Sequence, residues 1–149
     1  MELKNLFDPR VKEEIIERIN KLSPQSLPQW GKMNVAQMLA HLQMPIGSAQ
    51  GIHKLPRTLF GRVVGPFAKS VFCGNKPYKR NLPTDPSFVM TNTQKEFEKE
   101  KQGLIALIYN FKEENIVNKT HPFFGKLTAE QWSLGSWKHL DHHLQQFEV

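Results

Sequence analysis

The sequence predicts an all-α fold, a four-helix bundle with an extra short helix and long loops. Apolar residues recur every three or four positions in four separate stretches, which is the spacing of one face of an α-helix. No stretch alternates apolar and polar residues for long, and no segment of about 20 to 50 residues repeats. The chain has 149 residues, enough to bury one core and too few for two typical domains. We therefore expect one helical-bundle domain over residues 1–149.

The first helix has a marked start. Asp8 can cap the helix with its carboxylate, and Pro9 suits the first helical position because its missing N–H is not needed there. The helical spacing of apolar residues then continues to about Leu22. Residues 23–31 contain two prolines and predict a connection.

The second helix is predicted to begin at Asn34. This residue can cap the helix, and Gln37 lies three positions on, which is the spacing of a reciprocal capping box. Pro45 has no N–H to donate, so we expect the helix to kink there or to end before Gly47.

Three further segments complete the predicted bundle. Residues 51–86 are rich in Gly, Pro and basic residues; we expect one short helix over residues 58–72 and an extended loop over residues 75–86. A helix over residues 91–112 has an apolar stripe and a charged outer face. The final helix is predicted to start at Thr128, which forms a capping-box pattern with Gln131.

The charge of the chain is unevenly distributed. The formal net charge is +6, and no Asp or Glu occurs between residues 18 and 84, where ten basic residues do. An electropositive side of the molecule can attract an anionic substrate or cofactor. A nucleic-acid binder is disfavoured because no recognised motif is present and the basic residues are not interleaved with aromatics. The ten basic residues are Arg18, Lys21, Lys32, Lys54, Arg57, Arg62, Lys69, Lys76, Lys79 and Arg80.

A single cysteine, Cys73, excludes an intrachain disulfide and suits a reducing compartment. The first ten residues lack the apolar run of a signal peptide, and no segment has the ~18 apolar residues of a membrane span. We therefore expect a cytoplasmic protein with no membrane partner. The sequence leaves open whether the protein forms a homodimer.

The histidines give the clearest indication of chemistry. His139 and His143 are four apart, so both imidazoles lie on one helix face, whereas His142 is rotated about 100° from His143. His41 lies beside the apolar stripe of the second helix and is expected to point inward. Three inward histidines suit an open site for a divalent metal, although ordinary packed histidines are the alternative. Leu140 follows His139 where a zinc peptidase has glutamate, which disfavours a peptidase.

The segments around these histidines resemble the DinB/YfiT-like superfamily of metalloenzymes. They are Ala-Gln-Met-Leu-Ala-His41-Leu and His139-Leu-Asp-His-His143-Leu-Gln-Gln, and His121-Pro-Phe-Phe-Gly-Lys-Leu-Thr-Ala-Glu-Gln-Trp132 is similar to an uncharacterised subgroup. The resemblance implies a four-helix bundle with nickel or zinc held by His41, His139 and His143. It also implies, for some relatives, transferase activity that uses a low-molecular-weight thiol.

Two functions from different classes remain open from the sequence. The first is a metal-dependent transferase or hydrolase in which the metal activates a thiol or water toward a small-molecule substrate. The second is a non-catalytic module that binds a metal or a small ligand. We expect a structural role for His121, which precedes a proline, and a place outside the metal ligands for His142. Whether residues 51–86 cover the site is also open.

Overall fold

The fold is described here from a computed structural model, which covers residues 1–57, 59–82 and 88–149. These residues are mostly helical, which confirms the predicted all-α class, and they include a small two-stranded antiparallel sheet and a short 3-10 helix, Glu113–Asn115. None of the described helices combines the length and apolar character needed to cross a membrane. In chain order the elements are α1 (Pro9–Asn20), α2 (Val35–Ala49), α3 (Leu59–Cys73), α4 (Phe97–Tyr109), β1 (Thr120–His121), β2 (Gly125–Lys126) and α5 (Ala129–Gln146).

The predicted starts of α2 and α5 are confirmed by their capping hydrogen bonds. In α2, the side chain of Asn34 accepts from the N–H of Gln37, and the side chain of Gln37 accepts from the N–H of Asn34. Thr128 and Gln131 make the same reciprocal pair at α5. Each pair satisfies two N–H groups that the first helical turn leaves without partners, which fixes the first residue of both helices.

The first two helices end at positions that differ from those predicted. The first helix ends at Asn20, two residues before the predicted Leu22. Of the two alternatives for the second helix, an end before Gly47 is wrong, because the helix continues through Pro45 to Ala49. The kink at Pro45 stays a prediction. The residues after Pro45 are buried, and the N–H of Gln50 still donates to the carbonyl of Ile46, so packing maintains the helix across the proline.

The fourth helix is shorter than the predicted span of residues 91–112. It begins at Phe97, because the preceding segment forms a turn in which the N–H of Thr93 donates to the carbonyl of Met90. The side-chain amide of Gln37 donates to the carbonyls of Thr91 and Thr93 and holds this turn against α2. A contact from another helix therefore determines this boundary, and local spacing could not predict it.

The core lies where α1 and α2 each pack against both α4 and α5. The face of α1 that the sequence predicted is buried, with Ile15 and Ile19 fully inaccessible to solvent. The other helices contribute large side chains with no exposed surface, which are Met38, Leu39, Leu104, Ile108, Trp132, Leu140 and Leu144.

The third helix packs on α5 and β2. The predicted short helix over residues 58–72 is present as Leu59–Cys73, with residue 58 outside the described residues. The ring of Phe72 occupies the space that a side chain at Gly135 of α5 would fill. Lys138 of α5 is buried and donates to the carbonyls of Val71 and Gly74 at the end of α3. Of the predicted loop over residues 75–86, the last four lie outside the described residues.

Candidate metal centre

The structure brings together the three histidines that the sequence singles out. His41 lies on α2, and His139 and His143 lie one turn apart on α5. One ring nitrogen of each histidine lies within 4.8 Å of the other two. The ring centroids form a nearly equilateral triangle, with sides of 4.9, 4.9 and 4.8 Å. The packing of α2 against α5 therefore positions a site that neither helix could form alone.

A backbone carbonyl fixes the orientation of His41. The Nδ1 atom of His41 lies 2.8 Å from the carbonyl oxygen of Phe88, which can only accept, so Nδ1 carries the proton. The neutral imidazole then presents the lone pair of Nε2 to the centre of the triangle. This Nε2 atom lies 3.0 Å from the Nε2 atom of His139.

A side-chain amide orients His143 in the same way. The Nδ1 atom of His143 lies 2.8 Å from Oε1 of Gln146, one turn further along α5. The amide nitrogen of Gln146 donates to the carbonyl oxygen of Trp30, so the oxygen of this amide must face His143 and accept from it. Nε2 of His143 is left unprotonated, as metal binding requires.

Burial keeps the three imidazoles neutral. The pKa of His41 is lowered from 6.5 by burial, against a smaller opposite effect of its hydrogen bond to Phe88. The pKa of His139 lies well below 6.5, because of burial first and then the neighbouring histidines. Burial, followed by the proximity of His41, lowers the pKa of His143 to about 3. All three are therefore in the unprotonated form that binds metals at neutral pH.

Neighbouring acidic and histidine side chains of α5 lie outside this cluster. Asp141 turns away from the site and accepts from Arg18 at 2.8 Å and from the side-chain amide of Gln145. The ring of His142 lies between Trp30 and Tyr78, with centroid distances of 5.6 and 5.5 Å. The candidate metal ligands among the described residues are thus three imidazoles without a carboxylate.

The loop after α3 reaches the site, which the sequence could not show. Tyr78 lies with its ring centroid 6.4 Å from that of His139, and burial raises the pKa of its phenol, which stays protonated. The guanidinium of Arg80 lies 4.4 Å from the ring centre of Trp30. An aromatic residue followed closely by arginine in a long loop is too weak a signal to identify these residues from sequence.

Three other residues with ionisable side chains, His121, His53 and Cys73, make packing or hydrogen-bond contacts outside the histidine cluster. His121 is buried, and its Nδ1 atom accepts from the N–H groups of Phe123 and Phe124, so it stabilises the turn between β1 and β2. The ring of His53 occupies the space beside Gly47 of α2. The thiol of Cys73 lies 3.8 Å from the carbonyl of Gln131, and burial raises its pKa, which disfavours a thiolate.

The chain was compared with protein families, curated proteins and solved structures. The sequence model of a family described as "Protein of unknown function (DUF1569)" matches residues 5–149, all but the first four residues. No curated protein and no solved structure gives a significant match.

Proposed function

The chain belongs to the DUF1569 family, and we propose that it is a divalent-metal-dependent enzyme that acts on a small molecule. His41, His139 and His143 would hold the metal, with nickel or zinc as the best candidates. The observation that carries this proposal is the convergence of three neutral imidazole nitrogens from two helices. Three protein ligands leave coordination positions for water or substrate, which is typical of catalytic sites.

The donor set and its spacing fit a divalent transition metal. Imidazole nitrogens bind such ions at ~2.1 Å, so two ligands at about 90° lie ~3.0 Å apart. The Nε2 atoms of His41 and His139 are separated by 3.0 Å. The whole set lies within 4.8 Å, whereas two ligands of a tetrahedral ion lie ~3.4 Å apart, so the rings must move closer together, by up to about 1.4 Å for the widest pair, to hold one ion.

A bound divalent metal supplies Lewis acidity, which lowers the pKa of a coordinated water or thiol and makes a nucleophile available near neutral pH. The chain itself holds the ligands in place. The carbonyl of Phe88 and the amide of Gln146 keep the protons of His41 and His143 on Nδ1, away from the centre. These contacts orient the imidazoles before any ion arrives.

The surroundings of the site favour an anionic substrate or thiol cofactor. Arg80 has no ion pair within the described part of the chain, and it lies over Trp30 beside the site. A carboxylate on a low-molecular-weight thiol would be attracted to this arginine. The proposed reaction is therefore a thiol transfer or a hydrolysis, in which Arg80 would bind the charged part of the substrate or thiol.

The helix packing supports the DinB/YfiT-like four-helix bundle that the sequence resembles. In the structure, α1 and α2 both contact α4 and α5, while α3 packs outside these four on α5 and β2. A bundle of this kind places metal ligands on facing helices, as His41 and the two α5 histidines are placed. That the chain folds as a DinB/YfiT-like bundle is therefore part of the same proposal.

Cobalt binding tests the proposal and separates it from a non-catalytic module. The metal-free chain is titrated with Co²⁺, and the visible spectrum is recorded before and after addition of azide or a small thiol. The proposal predicts stoichiometric binding and a spectrum that changes with the added ligand, because a coordination position is open. No binding contradicts the metal site, and a bound metal whose spectrum does not change favours a structural or sensory role.

A further inference from the structure

The outer face of α3 exposes a continuous row of apolar side chains. Leu59, Val63, Phe67 and Val71, four residues apart in turn, are 79, 69, 85 and 44% exposed. Residues at this spacing lie one above another on a helix, so the four side chains form one stripe, the α3 stripe. Soluble proteins leave single apolar residues exposed, but a contiguous stripe that includes a phenylalanine indicates an interaction site.

The opposite face of the same helix accounts for its attachment to the protein. Gly61, Gly65 and Phe72 are buried, and an added side chain at Gly65 would meet the backbone carbonyl of Phe123. The helix is thus held to the domain by one side, and the α3 stripe does not belong to the core.

The charged residues of α3 itself are both basic. Arg62 is exposed, and Lys69, seven residues later, lies on the same edge of the helix because seven residues make about two turns. Helix α3 contains no acidic residue, and in the sequence none occurs between residues 18 and 84. The partner that this face fits must therefore be apolar and negatively charged at once.

We propose that the α3 stripe binds the surface of an anionic phospholipid bilayer, with α3 lying in the plane of the headgroups. Phe67 and its apolar neighbours enter the boundary between headgroups and acyl chains, and Arg62 contacts lipid phosphates at the margin. Basic residues at such a margin each raise partitioning about five-fold, and burial of one large apolar side chain raises it about ten-fold or more. This departs from the expectation of no membrane partner, and it does not depend on the proposed metal.

A second copy of the chain fits the surface less well. Two copies packed antiparallel about a two-fold axis would place one α3 stripe against the other, and Arg62 and Lys69 would then face basic residues of the same helix. Because α3 has no acidic residue to neutralise them, this arrangement brings like charges together. Charge complementarity therefore favours the lipid surface.

Vesicle flotation of the full chain tests the proposal. The protein is mixed with vesicles of phosphatidylcholine alone or of phosphatidylcholine with phosphatidylserine, at low and high salt. Phe67→Gln and Arg62→Gln are compared with Leu27→Gln, which changes a similarly exposed apolar residue between α1 and α2. Circular dichroism and analytical ultracentrifugation of each variant report folding and self-association.

The proposal predicts flotation with the anionic vesicles only, weakened by salt. Phe67→Gln should reduce it about ten-fold and Arg62→Gln about five-fold, whereas Leu27→Gln should leave it unchanged. Absence of flotation, equal flotation with neutral vesicles, or full flotation of folded Phe67→Gln would overturn the proposal. A concentration-dependent dimer that Phe67→Gln abolishes, without vesicle binding, would also overturn it and identify the stripe as a contact between copies.

Discussion

The Nε2 atoms of His41 and His139 lie 3.0 Å apart, although 98 positions separate the two residues in the chain. A neutral His139 that carries its proton on Nε2 donates a hydrogen bond to Nε2 of His41, whereas the tautomer with the proton on Nδ1 leaves two lone pairs that can share a cation. Burial and the neighbouring His143 keep the pKa of His139 well below its ordinary value, so the ring is neutral at neutral pH. In the tautomer protonated on Nδ1, the pair can therefore bind a metal ion.

Substitution of one histidine at a time should distinguish the histidines that bind the metal from one that only lies beside the site. His139→Ala and His143→Ala should each lower the affinity for Zn²⁺ by more than about 100-fold, because each removes one of three protein ligands. His142→Ala is the matched control on the same helix, since its ring packs against Trp30 and Tyr78 outside the cluster. Competition with a chromogenic chelator measures the affinities. Equal affinities for all three variants would contradict the ligand assignment.

The amide of Gln146 should raise the metal affinity about 10- to 100-fold, because it fixes the proton of His143 on Nδ1. Gln146→Leu removes the acceptor and should lower the affinity by this factor. Gln146→Glu keeps an acceptor for His143 and should therefore retain more of the metal affinity than Gln146→Leu does. A purely structural role for the amide would not produce this difference between the two variants. Gln145→Ala, one residue away and exposed, is the control. Chelator competition and a thermal melt of each variant distinguish lost affinity from lost stability.

The metal-free protein should become less stable as the pH falls below about 6.5. The three histidines have pKa values below 6.5 in the folded protein, so the unfolded chain binds more protons in this range and stability falls with falling pH. Above pH 6.5 the stability is complete, and for His143 the loss continues down to about pH 3. Each histidine lowers the free energy of unfolding by up to about 1.4 kcal/mol for each pH unit of acidification in this range.

Denaturant unfolding in the presence of a chelator, at several pH values between about 5 and 7.5, checks this dependence. His143→Gln should show a shallower loss of stability than the wild type, because one titrating group is gone. An identical slope for both proteins would show that other groups cause the acid sensitivity. For the same reason, metal affinity should persist to lower pH than the ordinary histidine pKa suggests.

The contact between α3 and α5 should be sensitive to one methyl group. Gly135→Ala places a side-chain carbon within 2.1 Å of the ring of Phe72 and should destabilise the protein by about 1 to 3 kcal/mol. Gly103→Ala on α4 is the matched control, because its added carbon meets only the movable end of Gln43. Denaturant unfolding measures both; an equal effect of the two substitutions would contradict the close packing of α3 on α5.

The predictable parts of this fold are those that local chemistry determines. The caps at Asn34 and Thr128 use side chains three residues apart, so the sequence alone located the starts of α2 and α5. The i,i+4 spacing of His139 and His143 likewise identified the face they share. The start of α4 depends on hydrogen bonds from Gln37 to Thr91 and Thr93, across 54 and 56 positions, and no local pattern contains that information.

The candidate site shows the same division. Its three histidines follow from helical spacing and from the inward face of α2, but the residues that orient them do not. The carbonyls of Phe88 and Trp30 carry no sequence signal, because every residue has one, and Gln146 becomes informative only when its contact with Trp30 is known. The ion pair between Arg18 and Asp141, which are 123 positions apart in the chain, also could not be predicted from the sequence.

The sharpest test of the metal site is anomalous diffraction from crystals of the full chain, grown with Zn²⁺ and without chelators. Data collected on both sides of the zinc absorption edge locate the ion and identify it. We expect a single strong peak among the Nε2 atoms of His41, His139 and His143, ~2.1 Å from each, with at least one further position filled by water or another small ligand. Absence of zinc between these three imidazoles, or zinc bound only elsewhere on the chain, would contradict the metal site.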